Sequence, residues 1–323
     1  MLPYHTLEEA QVALGRGLTL AETLWFKYSA KKPDFVLHFH NTLFLCLFYS
    51  IAPIPFLLME LGGYEKLNIH KIQPSVKRSF KEMFKCYKHV IVTFAIAVSP
   101  LQIISYPTIK LVALEYIGVV VTKLDINVHD SKTELQFMRW IGIRTGLSLP
   151  SGWELFWQLL IYFVIEDFSN FWIHRMLHCK WAFEKIHKVH HEYEAPFGLS
   201  APYAYWAEII ILGIPSFLGP VLVPGHITTY WLWFILRQLE AIETHSGYDF
   251  PWSPTKYIPF YGGPAYHDYH HYVGGKSQSN FASVFTYCDY IYGTHKMAHY
   301  NEATIPYFAG IPIQKADAQI KFY

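Results

Sequence analysis

Three short stretches carry eight histidines at spacings that suit metal ligation. HRMLH holds His174 and His178, HKVHH holds His187, His190 and His191, and HDYHH holds His267, His270 and His271. On a helix, residues three and four apart share a face, so H-x3-H aims two imidazoles the same way. H-x2-H-H does this with its first and third members and keeps the middle ring nearby. A lone histidine is ordinarily a satisfied polar residue. Three clusters of uncoordinated imidazoles would gain nothing obvious from such packing, so the pattern predicts metal binding. Eight ligands are too many for one ion, whereas two ions with four or five imidazoles each fit the count. Imidazole suits iron, zinc or copper, and such a site can keep positions open for oxygen or water. His245, in ETHSGYD, is a ninth candidate ligand. A metal-bound imidazole commonly gives its other N–H to a carboxylate. Asp249, which could also be a ligand itself, is a candidate for that role, as are Asp167, Asn170, Glu240 and Asp268; for each, a surface or helix-capping role is an equal alternative.

The elements that must position these rings are greasy. Of 323 residues, 52% are hydrophobic and 16% charged, with a net charge of +1. Soluble domains carry about 25% charged residues, and this balance leaves no basic footprint for nucleic acid. The four cysteines lie far apart with no C-x-x-C pair, which argues against a disulfide framework or a zinc–thiolate site. No cleaved signal peptide is expected. The chain is expected to be all-α, with about four membrane-embedded helical segments beneath a cytosolic, histidine-rich cap.

Five regions are expected along the chain. Residues 1–34 form an interfacial segment of two short amphipathic helices, with capping boxes at Thr6/Glu9 and Thr19/Glu22. Residues 35–122 hold membrane segments, broken by Pro53 and Pro55 and later by Pro100 and Pro107. Residues 123–152 are a loop or insertion, residues 153–294 the catalytic region, and residues 295–323 a divergent tail. Within the fourth region, 206–244 reads as a helical hairpin punctuated by Pro215, Pro220, Pro224 and Gly225. A hairpin returns to its starting side, which lets His191 and His245 meet. The positive-inside rule would put both Lys27–Lys32 and the basic residues from Lys71 to Lys88 on one side of a membrane. Both hold only if residues 35–61 turn back, which predicts a re-entrant hairpin there.

HRMLH, HKVHH and HDYHH, in this order and separated by an apolar hairpin, resemble the membrane fatty-acid hydroxylase and sterol desaturase superfamily. KIHKVHHEYEAPFGLSAPYAYWAE, AIETHSGYDFPWSPTKYIPFYGGPAYHDYHHYVGG and SQSNFASVFTYCDYIYGT are similar to the plant sterol 4α-methyl oxidases. EEAQVALGRGLTLAETLWFKYSA and MFKCYK are similar to the group acting on 4,4-dimethylsterols, of the 24-methylenecycloartanol type. The resemblance implies a di-iron, O2-dependent enzyme of the endoplasmic reticulum, fed electrons from NAD(P)H through cytochrome b5 and its reductase. It implies stepwise oxidation of a sterol C4 methyl to alcohol, aldehyde and carboxylate, with a separate decarboxylase/dehydrogenase acting next. The eight box histidines carry over as the metal ligands. An unactivated methyl fits this expectation, because acid–base residues alone cannot break that C–H bond.

The chain departs from the family pattern in three places. Tyr205 stands where many relatives carry histidine before W-A-E, residues 113–140 have no counterpart, and the tail adds an H-x3-H, His295 and His299, read as coincidence. Two other readings compete: another lipid hydroxylase, desaturase or aldehyde-processing enzyme on the same scaffold, and a zinc-binding membrane protein. An inactive paralogue serving as a partner subunit is a further possibility.

Overall fold

The structure is a computed structural model that describes residues 2, 4–107, 143–274 and 277–296. The expected insertion at 113–140 and most of the divergent tail, including His299, lie outside the described residues. Among the described residues the regular structure is helical, and the only β-type pairings are isolated bridges.

Two short helices open the chain, α1 (Leu7–Leu14) and α2 (Leu20–Ser29). Thr19 and Glu22 form the full reciprocal capping box. At α1 only half of it forms: Thr6 accepts from the Glu9 N–H, while Glu9 turns to the His5 N–H instead. Helix α3 (Asp34–Ile51) follows, and a break at Ala52–Pro53 separates it from α4 (Ile54–Gly62), which carries Pro55 in its first turn. A one-turn helix, α5 (Glu65–Asn68), leads toward α6 (Phe80–Thr93). The chain stays helical beyond α6 through a π turn at Phe94–Val98 and on to Pro107, so Pro100 does not end it. The histidine-bearing half comprises α7 (Gly152–Leu177), α8 (Lys180–Lys185), α9 (Trp206–Leu222), α10 (Ile227–Thr244), α11 (Gly263–Val273) and α12 (Tyr287–Ile291).

Helix α3 joins two ends of the molecule. At one end, Trp25 of α2 donates to the Thr145 and Gly146 carbonyls, and His226 at the start of α10 also donates to Gly146. Thr145 reaches Asp34 at the start of α3. At the other end, Tyr49, late in α3, donates to the Leu199 carbonyl. There Gln73 donates to Asp268 and Arg78 to the Ala195 carbonyl. Helix α3 therefore passes once from the first end to the second, over about 27 Å. Lys27–Lys32 and the Lys71–Arg78 segment consequently sit at opposite ends, and the re-entrant hairpin expected for residues 35–61 does not form. The charge rule can therefore hold for only one of the two segments. Lys71 pairs with Glu60 at 2.7 Å and Arg78 lies over Tyr193 and Phe197, while Lys77, Lys81, Lys85 and Lys88 are exposed.

Helices α9 and α10 do form a hairpin. Its turn falls at Val223–His226, while α9 runs straight through Pro215 and Pro220. Gly219 lets α9 press onto α7, because a Cβ there would stand 2.8 Å from the Tyr162 ring and 3.0 Å from its Cα. Small residues permit such close helix contacts where no hydrophobic force drives association.

Apolar side chains cover the outside as well as the core, and polar ones are mixed into the interior. On α3, His38, Asn41 and Thr42 are buried, whereas Leu43, Leu47 and Ile51 face outward. His38 meets Ser105 at 3.1 Å, and Gln102 donates to Tyr230 at 2.8 Å. Val92, Ile96 and Ile104 continue the outward apolar face on α6 and its extension. Asp34–Gly62 and Phe80–Pro107 are each long and apolar enough to cross a membrane.

Candidate metal centre

Local geometry first delivers the rings in pairs. His174 sits in the last turn of α7 and His178 caps it, four residues on. His187, His190 and His191 lie on a 3-10 turn that spans His187–Glu192. His267, His270 and His271 lie on α11, and His245 caps α10.

Tertiary packing then sorts them. All nine are buried, in two groups whose ring nitrogens lie within 4.8 Å of one another. His174, His178, His187, His191 and His270 form one group, and His190, His245, His267 and His271 the other. Each H-x2-H-H box is split. Its first and third rings stay together, while its middle ring crosses to the other group. His190 thereby leaves His187 and His191, and His270 leaves His267 and His271.

The outward nitrogens identify the tautomers. A carbonyl can only accept, so Nδ1–H of His174 donates to Phe281 (2.8 Å), that of His190 to Tyr203 (3.1 Å), that of His245 to Ala241 (2.8 Å) and that of His270 to Ser279 (2.8 Å). His187 Nδ1 donates to Glu208 Oε1 at 2.8 Å. The Nε2 atoms of these rings therefore point inward as bare lone pairs. His190 and His245 Nε2 face each other at 3.4 Å with no proton between them. His178 and His270 Nε2 approach to 3.1 Å, and His245 and His267 Nε2 to 3.0 Å. Burial keeps the rings neutral: it lowers the pKa of His178 to about 2 and of His190 to about 4, and pushes His187, His191, His245, His267, His270 and His271 well below the ordinary value. Converging neutral imidazoles with facing lone pairs are a donor set that a pair of cations fits.

The other candidates point elsewhere. Asp167 accepts from the Val284 and Phe285 N–H groups, Asn170 donates to Glu166, and Glu240 pairs with Arg237. Asp249 pairs with Lys256, and Asp268 accepts from Gln73. The carboxylate that does hold a ring is Glu208 of W-A-E, buried in the first turn of an apolar helix. An acidic residue in an otherwise apolar stretch was the signal for it. Asp289 acts one step further out, fixing the Phe281 and Ala282 N–H groups behind His174. Tyr205 is half-exposed at the α9 N-terminus and belongs to neither group, and His295 stacks on Tyr290 at 4.0 Å.

A cavity of about 260 Å³ opens beside the rings. His174, His187, His190, His245 and His267 line it together with the apolar Leu45, Phe94, Val98, Leu212 and Phe217.

The sequence profile of the fatty acid hydroxylase family matches residues 159–294. Methylsterol monooxygenase 1-1 of Arabidopsis thaliana is 56% identical over 298 residues, covering 92% of this chain and 90% of its own. The chain belongs to the fatty acid hydroxylase family. A rice (Oryza sativa subsp. japonica) member named very-long-chain aldehyde decarbonylase GL1-10 is 55% identical, covering 94% of this chain and 91% of its own. Methylsterol monooxygenase 2-2 of Arabidopsis thaliana is 37% identical over 77% of this chain and 81% of its own. No solved structure matches the chain. Family membership, the two histidine groups and the apolar helices together mark a membrane-bound, metal-dependent oxygenase.

Proposed function

We propose that this member of the family oxidises the C4 methyl group of 4,4-dimethylsterols, of the 24-methylenecycloartanol type, through alcohol and aldehyde to carboxylate. The observation that carries this reading is the cavity lined by apolar residues and by rings from two groups of neutral imidazoles. His174, His178, His187, His191 and His270 would hold one iron ion and His190, His245, His267 and His271 the other. Bound there, two iron ions would supply the redox chemistry with O2 that an unactivated C–H bond requires. The chain's part is to hold and shield. Glu208 and the carbonyls of Phe281, Tyr203, Ala241 and Ser279 orient the rings. The apolar lining from Leu45 to Phe217 seats a rigid apolar skeleton and excludes water from its reacting end.

In this reading the electrons come from NAD(P)H through cytochrome b5 and its reductase. The carboxylate passes to a sterol C4-decarboxylase/dehydrogenase. About four helical segments lie in the endoplasmic reticulum membrane, and the histidine end faces the cytosol. A second reading is favoured by the name of the rice relative, aldehyde decarbonylation.

One experiment separates these readings. Membranes from a yeast strain lacking its own C4-methyl oxidase, expressing this chain, are incubated with NADH and either a 4,4-dimethylsterol or a very-long-chain aldehyde. Sterol products gaining oxygen at the C4 methyl support the proposal. Hydrocarbon from the aldehyde with unchanged sterol supports the second reading. Purified protein that holds zinc and turns over neither substrate when iron is supplied would defeat both.

A further inference from the structure

One side of the cavity is polar. Glu166 and Asn170 stand two turns and one turn before His174 on α7, and Arg237 and Glu240 precede His245 on α10. A rise of about 1.5 Å per residue puts Asn170 about 6 Å and Glu240 about 7 Å along their helices from those histidines. Arg237 Nη2 donates to Glu166 Oε1 at 2.8 Å and to Ser283 Oγ at 2.8 Å, and its Nη1 donates to Glu240 Oε2. Asn170 donates to Glu166 Oε1 as well. Two carboxylates thus share one guanidinium. Glu166 Oε2 and Glu240 Oε1 are buried without a hydrogen-bond partner. Their side chains are 1% and 9% exposed. A buried carboxylate oxygen left unpaired is costly.

We propose that Glu240, anchored by Arg237, accepts a hydrogen bond from the substrate hydroxyl and thereby selects the carbon presented to the histidines. The inference rests on the sterol reading above. A sterol has an apolar skeleton with one hydroxyl, and the C4 methyl is on the carbon adjacent to the one bearing it. The two groups are a few ångströms apart, so a methyl facing the histidines places its hydroxyl against a neighbouring wall. Glu240 is on that wall, and the torsion at the end of a glutamate is soft. A small rotation moves both oxygens together, so Oε1 turns toward the ligand as the Oε2 contact with Arg237 readjusts.

The test compares a 4,4-dimethylsterol with its 3-deoxy analogue, in equilibrium binding to the purified protein and in turnover. Wild type is expected to favour the hydroxysterol by roughly three- to tenfold, the range for a single hydrogen bond. Glu240→Gln should shrink that ratio, and Glu240→Met should bring it near one, with the deoxy compound little changed in both. Equal losses for both compounds would reduce Glu240 to a structural ion-pair member and overturn the proposal, as would a ratio that survives in Glu240→Met. Wild type that oxidises the sterol with a ratio near one sinks the hydroxyl contact and leaves the reaction standing. Selective binding that depends on Glu240 but leads to no C4 oxidation keeps the contact and sinks the reaction. Wild type that neither binds nor oxidises the sterol sinks both.

Discussion

His190 and His245 are 55 residues apart in the chain, yet their Nε2 atoms stand 3.4 Å from each other. Each has already committed its Nδ1–H to a backbone carbonyl, so neither can donate to the other. Removing either ring should break the four-membered group and spare the five-membered one. His245→Ala is expected to lower bound metal from two ions per chain to one and to abolish oxidation. His295→Ala should leave both unchanged. Elemental analysis beside product assays decides this, and two ions retained in His245→Ala would remove it from the ligand set.

Glu208 holds His187 from behind, and both side chains are buried. Partners of this kind are typically worth about 10- to 100-fold in metal affinity. Glu208→Ala should therefore lose metal to a chelator about 10-fold sooner than wild type. Glu208→Gln should lie between them, because its amide oxygen still accepts from Nδ1. Equal loss rates in all three would refute an orienting role.

The α7–α9 contact depends on a missing side chain. Gly219→Ala places a carbon against the Tyr162 backbone, and Gly219→Val adds two more. Overpacking of this kind costs about 1–3 kcal/mol. The thermal midpoint in detergent should fall for Ala and fall further for Val. A midpoint unchanged in Gly219→Val would mean that the two helices are not so closely apposed.

The N-terminal helices carry an acid-sensitive lock. The hydrogen bond from Arg16, with the Thr19 capping bonds assisting against burial, lowers Glu22 from 4.5 to about 2. A carboxyl depressed on folding stabilises the folded form above its unfolded pKa, and this contribution fades as pH falls through the folded value. Glu22→Gln should thus loosen α1 and α2 at neutral pH, and the gap from wild type should close between about pH 4.5 and 2. Limited acid-stable proteolysis of residues 7–29 across that range measures it. A gap independent of pH would point to packing instead of charge.

Much of the histidine clustering was legible because ring pairs are local. On an α-helix a spacing of four is about one turn, so His174/His178 and His267/His271 could be read as pairs without knowing the fold, whereas His187 and His191 lie on a 3-10 turn and are brought together by packing. The ninth ring, His245, was readable because a hairpin must bring its ends to one face. The expectation of a membrane-embedded helical chain followed likewise from composition and apolar run length. The role of Glu208 and the single pass of α3 were not legible. Both depend on contacts between elements distant in sequence, and a count of charges could not say which of the two basic segments lies on the histidine side.

By itself, then, the sequence marked out which imidazoles could cooperate, since they cluster in three short boxes and the α-helical period aims the rings of two of them. Only the tertiary structure decided which ring joins which group, because His190 and His270 each cross from their own box to the other group. That crossing is set by how the His187–Glu192 turn, α11 and the ends of α7 and α10 pack around one buried space, and packing between elements has no period for a linear pattern to carry.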